Sequence, residues 1–437
     1  MKKVFALFVA AVLLGWTSLT YAKLQTTRRG MLWLLPKLSA GTFSLEIALV
    51  SVAGAVVGRV RSYLSVAVGY ALVALAAGIP VVQTWRTPEV FSGAFGATQP
   101  AVERRHYLLG RRWGVHLGPV PEARVQRDIP FWTLPERERP LLCDIWQPAV
   151  EVPVSGLGFV YLHGSAWTLL DKDYGTRTLF RHLAAQGHVV MDVAYRLYPE
   201  TGITGMVSDA KRAVAWLKAN AAEYGVDPDR IVLGGASAGG HVALLAAYTA
   251  GHPELTPADV LRDADTSIRG VLGWYSPVDL AACYEHYENA TLAEMMPDRP
   301  DWNAPPSPWM RRLLGADAER LGFQKVPAGR LDWIVGGSPQ QVPEQYALLS
   351  PITHVRAGCP PTLLMQGRDD IIVPPGPSVE MHERLRRAGV EAALLLLPHA
   401  DHGFDLLGTN WSPMARQALW HAERFLALMA GAEGFRP

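Results

Sequence analysis

The sequence runs to 437 residues, enough for one large domain or two ordinary ones and for a substantial buried core. Its 41 Lys and Arg nearly balance 40 Asp and Glu, so net charge gives no reason to expect nucleic acid or another polyanion as partner. Cys143, Cys283 and Cys359 are odd in number and widely spaced, which excludes a disulfide framework and matches no metal or redox motif.

Residues 1–90 read as an N-terminal membrane region. Val4 to Ala22 and Ser62 to Trp85 carry no charge, and an apolar run of ~20 residues is the length that spans a bilayer core as helix. Between them, Leu38 to Gly58 is apolar except for Glu46 and meets the third run through the short RVRS turn, which suits a helical hairpin. A cleaved secretory signal is the competing reading of residues 1–22. Lys2 and Lys3 precede the first span, Lys23, Arg28, Arg29 and Lys37 follow it, and Arg59 and Arg61 sit in the turn. These cations pull in opposing directions under the positive-inside rule, so no topology follows. The expected location is the membrane, with the side that bears the rest of the chain left open.

Residues 91–437 have the character of a soluble domain. RDIPFWT and LLCDIWQP predict antiparallel strands at a sheet edge. The pattern then alternates: strand 157–163, helix 176–187, strand 188–195, helix 208–225, strand IVLGG and a helix over 241–250. GVLGWYS, PTLLMQG and AALLLLP predict three further short strands. Alternation of this kind predicts an α/β fold with a mostly parallel sheet covered on both faces, and ligands at the carboxyl ends of its strands. Residues from about 281 to 346 interrupt the alternation with prolines and aromatics, and are expected to form a cap.

Chemistry concentrates at four strand ends. Gly235, Ala236, Ser237, Ala238 and Gly239 form G-x-S-x-G between a strand and a helix, where small residues permit a tight turn that lifts a serine above the sheet. The N–H of Ala238, at the amino end of that helix, is placed to stabilise an oxyanion. HGSAW follows the first central strand, with Gly164 and Ser165 small enough for backbone amides to approach a substrate oxygen. His163 reads as loop-shaping, and Ser165 lacks the strand-to-helix elbow of a nucleophile. Asp369 and Asp370 both lie in the loop after PTLLMQG, and His402 lies in the loop after AALLLLP. Either carboxylate suits the orientation of an imidazole. Tyr195, Arg196 and Asp209 read as structural.

HGSAW, VAYRLYPE, GGASAGGH, QGRDDIIVP and HADHGF, in this order over residues 159 to 404, resemble the α/β-hydrolase fold and, within it, hormone-sensitive-lipase-like and BD-FAE-like serine carboxylesterases. The resemblance does not extend to residues 1 to about 90. It implies Ser237 as nucleophile, His402 as base and Asp370 rather than Asp369 as acid, because the family acid lies three residues before the valine of the VP pair. The oxyanion amides are those of Gly164, Ser165 and Ala238, flanked by the elbow glycines Gly235 and Gly239. Two departures are HGSA in place of HGGG and Tyr198 in place of the usual alanine before proline. The implied chemistry is ester hydrolysis through an acyl-enzyme, with no metal or organic cofactor. A small-molecule or lipid ester is the expected substrate. A membrane acyltransferase using the same triad is the alternative, followed by a non-catalytic binding protein and a peptidase.

Overall fold

The computed structural model describes residues 2–24, 28–88, 90, 91, 93–95, 120–134, 140–256, 264–288, 308, 331–407 and 411–431. Most of the segment expected to form a cap lies outside these residues, which retain only its flanks, α9 (Leu280–Glu288), α10 (Leu331–Val335) and α11 (Pro343–Leu349).

An eight-stranded sheet organises the domain: β1 (Arg124–Trp132), β2 (Leu141–Gln147), β3 (Gly158–Leu162), β4 (Val189–Ala194), β5 (Ile231–Ala236), β6 (Gly270–Trp274), β7 (Thr362–Gly367) and β8 (Ala392–Leu397). Its order is β1-β2-β4-β3-β5-β6-β7-β8. β1 and β2 pair antiparallel at one edge, β2 meets β4 antiparallel, and every pairing from β4 to β8 is parallel. This is the α/β-hydrolase arrangement.

The central strands are apolar on both faces, as a covered parallel sheet requires. In β3, Val160 and Leu162 pack with Val242 and Val207 on one side, while Phe159 and Tyr161 pack with Phe180 and Phe425 on the other. Strand periodicity of two divides these neighbours between layers. α6 (Ile203–Ala219), the short α7 (Ala221–Tyr224) and α8 (Ala238–Tyr248) contribute to the first layer. α5 (Arg177–Ala185) and α13 (Pro413–Met429) build the second. Burying Phe425 or Phe180 stabilises the fold by roughly 2–3 kcal/mol each. α12 (Pro375–Arg387) follows β7 and packs Met381 and Leu385 into the first layer.

Two expectations shift. The helix expected over 241–250 begins at Ala238, because Gly239 and Gly240 are drawn into its first turn by close packing under the elbow. The helix expected from residue 208 begins at Ile203 and ends at Ala219, with α7 separate. α12 and α13 do not stand out in the sequence reading at all.

Among the described residues, four α-helices precede the sheet: α1 (Lys2–Ser18), α2 (Arg28–Thr42), α3 (Ser44–Val60) and α4 (Leu64–Trp85). Lys2–Tyr21 and Leu64–Trp85, 20 and 22 residues, are long and apolar enough to cross a membrane. The middle apolar run is broken: Leu32–Thr42 and Ser44–Val60 meet at a 60° bend. α3 and α4 form the hairpin expected from RVRS, with Ser62 at φ 58° in the turn. Gly58 makes the close approach possible, since a Cβ there would lie 2.7 Å from the Ala67 nitrogen. Val4, Phe8, Trp33, Val56 and Leu75 face outward from these helices. Lys37 is not a loop cation. It lies within α2, where its ammonium is buried against the carboxylates of Asp369 and Asp401.

Candidate active site

β5 delivers Ser237 to the carboxyl end of the sheet. Ser237 occupies φ 51°, ψ −124° just before α8, a conformation disfavoured for a residue with a Cβ and held here by its surroundings. Its N–H donates to the Trp274 carbonyl at 2.8 Å, and its own carbonyl accepts from His241 N–H at 2.9 Å. The flanking glycines are dictated by space. A Cβ on Gly235 or Gly239 would lie 2.4 or 2.2 Å from the Leu162 carbonyl oxygen.

Two neighbouring loops supply the partners. Asp370, after β7, accepts the backbone N–H groups of Ile372 and Val373 on Oδ1 at 2.9 and 2.8 Å. Its Oδ2 accepts from Gln366 Nε2 at 2.8 Å and faces His402 Nδ1 at 3.0 Å. A carboxylate only accepts, so Nδ1 carries the proton. Nε2 is left as acceptor, 3.0 Å from Ser237 Oγ. The structure therefore brings Ser237, His402 and Asp370 into one hydrogen-bonded row from three strand ends. Asp369 points elsewhere, with Oδ2 3.6 Å from Lys37 Nζ and 4.0 Å from His399 Nδ1.

Gly164 and Ser165 line the same cavity as Ser237 and His402. The Ser165 hydroxyl is turned away from the cavity's chemistry: it lies 2.8 Å from Tyr195 OH and accepts from Trp167 N–H at 3.0 Å. Tyr195 OH donates to the His163 carbonyl at 2.8 Å, so His163, Ser165 and Tyr195 shape the loop. Ala166 and Trp167 have φ 44° and 62°, so two consecutive non-glycine residues hold left-handed geometry. Trp167 is clamped from below, its Nε1–H donating to His241 Nδ1 at 3.1 Å, which leaves His241 Nε2–H to donate to the Leu349 carbonyl at 2.8 Å. Arg196 forks onto Asp209 with two contacts of 2.8 Å, away from this cavity. Ala238, whose amide was expected to face an oxyanion, is fully buried at the first turn of α8.

The cavity holds about 240 Å³. Leu169, Leu170, Leu179, Leu406 and Leu419 give it an apolar wall, and Tyr174 stands beside them. This volume lies below the range of roughly 300–1,000 Å³ for drug-sized ligand sites.

Tyr275, absent from the sequence-level site, packs its ring 4.6 Å from that of His402 at 60°. It holds φ 38°, and its hydroxyl donates to Asp405 Oδ1 at 2.7 Å. Burial pushes the Tyr275 phenol well above its ordinary range and raises Asp405 as well. The phenol thus stays protonated and remains a donor. GVLGWYS did mark this residue as a strand end, but nothing local in sequence ties it to a histidine over a hundred residues away.

Residues 143–306 match the BD-FAE family model, and residues 321–425 match the prolyl oligopeptidase family model. The chain is 29% identical over 315 residues to the probable carboxylic ester hydrolase LipM of Mycobacterium tuberculosis, covering 71% of this chain and 64% of LipM. It is 30% identical over 280 residues to esterase LipC of the same organism, covering 63% of this chain and 60% of LipC. The chain thus spans rather less than two thirds of the length of these relatives. Among solved structures, a bifunctional GH43-CE protein of Bacteroides eggerthii superposes with TM-score 0.51 at 23% identity, over 70% of this chain and 38% of the other. That likeness is one of fold.

Proposed function

We propose that this chain, which belongs to the α/β-hydrolase superfamily, is a membrane-bound serine carboxylesterase acting on apolar or lipid-like esters. The observation that carries the reading is His402, which spans Ser237 Oγ and Asp370 Oδ2 at 3.0 Å each above an apolar cavity.

His402 Nε2 takes the hydroxyl proton as Ser237 Oγ attacks the ester carbonyl carbon. The negative charge moves to the carbonyl oxygen, where the amides of Gly164, Ser165 and Ala238 receive it; one such donor is worth on the order of 3 kcal/mol. His402 then protonates the leaving alkoxide, and the acyl group stays on Ser237. Water, deprotonated by the same imidazole, attacks the acyl-enzyme; the bond from the acyl carbon to Ser237 Oγ breaks, His402 returns its proton to Oγ, and the acid leaves. Asp370 fixes the imidazole tautomer and stabilises the imidazolium that forms in both halves.

The preference for apolar esters is supported by the leucine wall of the cavity and by outward apolar side chains on α1 to α4, suited to a lipid solvent. The test is hydrolysis of p-nitrophenyl esters of increasing chain length by the full chain in detergent, beside Ser237→Ala. Serine-dependent turnover is expected. A folded wild-type protein with no turnover on any ester overturns the reading, and product analysis with a lipid alcohol present separates hydrolysis from acyl transfer.

A further inference from the structure

The two loops that carry Asp370 and His402 are stapled together by a third carboxylate. Asp401 accepts on Oδ1 from the backbone N–H of Ile371 and from that of His402, both at 2.9 Å. Each donor amide is covalently next to, or part of, a member of the Ser–His–Asp row. Asp401 is 1% exposed, so its carboxylate needs a partner charge. That partner comes from outside the hydrolase domain: Lys37, on α2, donates from Nζ to Asp401 Oδ2 at 3.0 Å and lies 3.6 Å from Asp369 Oδ2. Lys37 is itself 2% exposed.

The surrounding contacts place α2 against this corner of the domain. Thr42 Oγ1 donates to the Leu407 carbonyl at 3.3 Å, in the loop after His402. A Cβ on Gly41 would touch the Met414 side chain of α13 at 3.6 Å. α4 reaches the same loops, with Gln83 hydrogen-bonded to His399. The apolar helices are therefore continuous with the catalytic loops through polar contacts as well as packing.

We propose that Lys37 is a positioning residue for the reaction, holding the Asp370 and His402 loops in register through Asp401. The proposal rests on the esterase reading above. It assigns the N-terminal region a part in catalysis besides attachment: an ammonium from α2 neutralises the carboxylate on which both loops hang. Without that charge, Asp401 is buried with no counter-charge, and it either takes up a proton, weakening its hold on the two amides, or draws in water by opening the loop. The cost falls on the alignment of His402 between Ser237 and Asp370, where misplacement by about 1 Å lowers turnover by roughly a hundredfold.

The experiment compares full-length wild type, Lys37→Met and Lys37→Met/Asp401→Asn in detergent, measuring kcat, KM, thermal midpoint and the rate at which a fluorophosphonate labels Ser237. Lys37→Met is expected to lower kcat and labelling by roughly ten- to a hundredfold with KM nearly unchanged. The double variant removes both charges yet keeps an oxygen for the two amides, and is expected to recover to within about threefold of wild type. A folded Lys37→Met protein with wild-type kcat overturns the proposal. So does a folded double variant as impaired as the single. Where Lys37→Met does not fold, the double variant alone decides, near-wild-type kcat supporting the proposal and a large loss refuting it. If wild type hydrolyses no ester, the esterase reading fails by itself, and the labelling rates still report on Lys37.

Discussion

Asp369 and Asp370 are adjacent in the chain and face different partners. Asp370 Oδ2 lies 3.0 Å from His402 Nδ1, and Asp369 Oδ2 lies 3.6 Å from Lys37 Nζ. Asp370→Asn presents an amide that can donate toward Nδ1 and favours the wrong imidazole tautomer, so kcat is expected to fall by roughly 10⁴. Asp369→Asn leaves the row intact, and its loss is expected to stay below about tenfold. Initial rates on one ester check both; equal losses would mean that the acid has been misassigned.

Ser237→Ala is expected to abolish ester turnover while leaving the thermal midpoint within a few degrees of wild type. The hydroxyl's bond within the row is to His402, and the replacement keeps a Cβ in the same φ 51° geometry. Backbone strain at the elbow is therefore unchanged by the substitution. Retained activity in the folded variant would remove Ser237 as nucleophile.

Gly239→Ala probes the elbow in the opposite way. Its Cβ would lie 2.2 Å from the Leu162 carbonyl oxygen and 2.4 Å from that of His163. Neither backbone atom can yield without moving β3 or the oxyanion loop, so destabilisation of more than about 3 kcal/mol is expected. Gly164→Ala meets its nearest atom at 3.3 Å and is expected to fold. Urea unfolding of the pair checks the contrast.

The elbow and the strand-end loops were legible because chemistry restricts them locally. A serine on a tight turn needs glycine within two residues on each side, and the buried parallel strands need short apolar runs. Helix starts were less legible. Gly239 and Gly240 have poor helix propensity, yet α8 begins at Ala238 because packing under the elbow outweighs propensity. The break at Phe43 between α2 and α3 falls in an apolar run with no proline at that point to announce it. Least legible was the Lys37–Asp401 pair: the two residues are separated by 364 positions, and neither lies in a pattern that names its partner. Tyr275 against His402 is hidden for the same reason.

Acidification is expected to loosen the fold through two buried histidines. Burial lowers the His188 and His241 imidazoles from 6.5 to about 4. The unfolded chain therefore binds more protons than the folded one between these values. Their neutral forms contribute stability in full above pH about 6.5, and it is lost as pH falls toward 4, by on the order of a few kcal/mol for the two together. For His241 the loss has a location. Its Nδ1 accepts from Trp167 Nε1 at 3.1 Å, and a protonated ring has no lone pair left to accept that bond. The left-handed loop at Ala166 and Trp167 would then lose its anchor beside Gly164 and Ser165. His241→Asn, whose side chain does not titrate in this range, is expected to show a shallower fall of thermal midpoint between pH 7 and 4 than wild type. Equal slopes for the two proteins would show that His241 is not a source of the acid sensitivity.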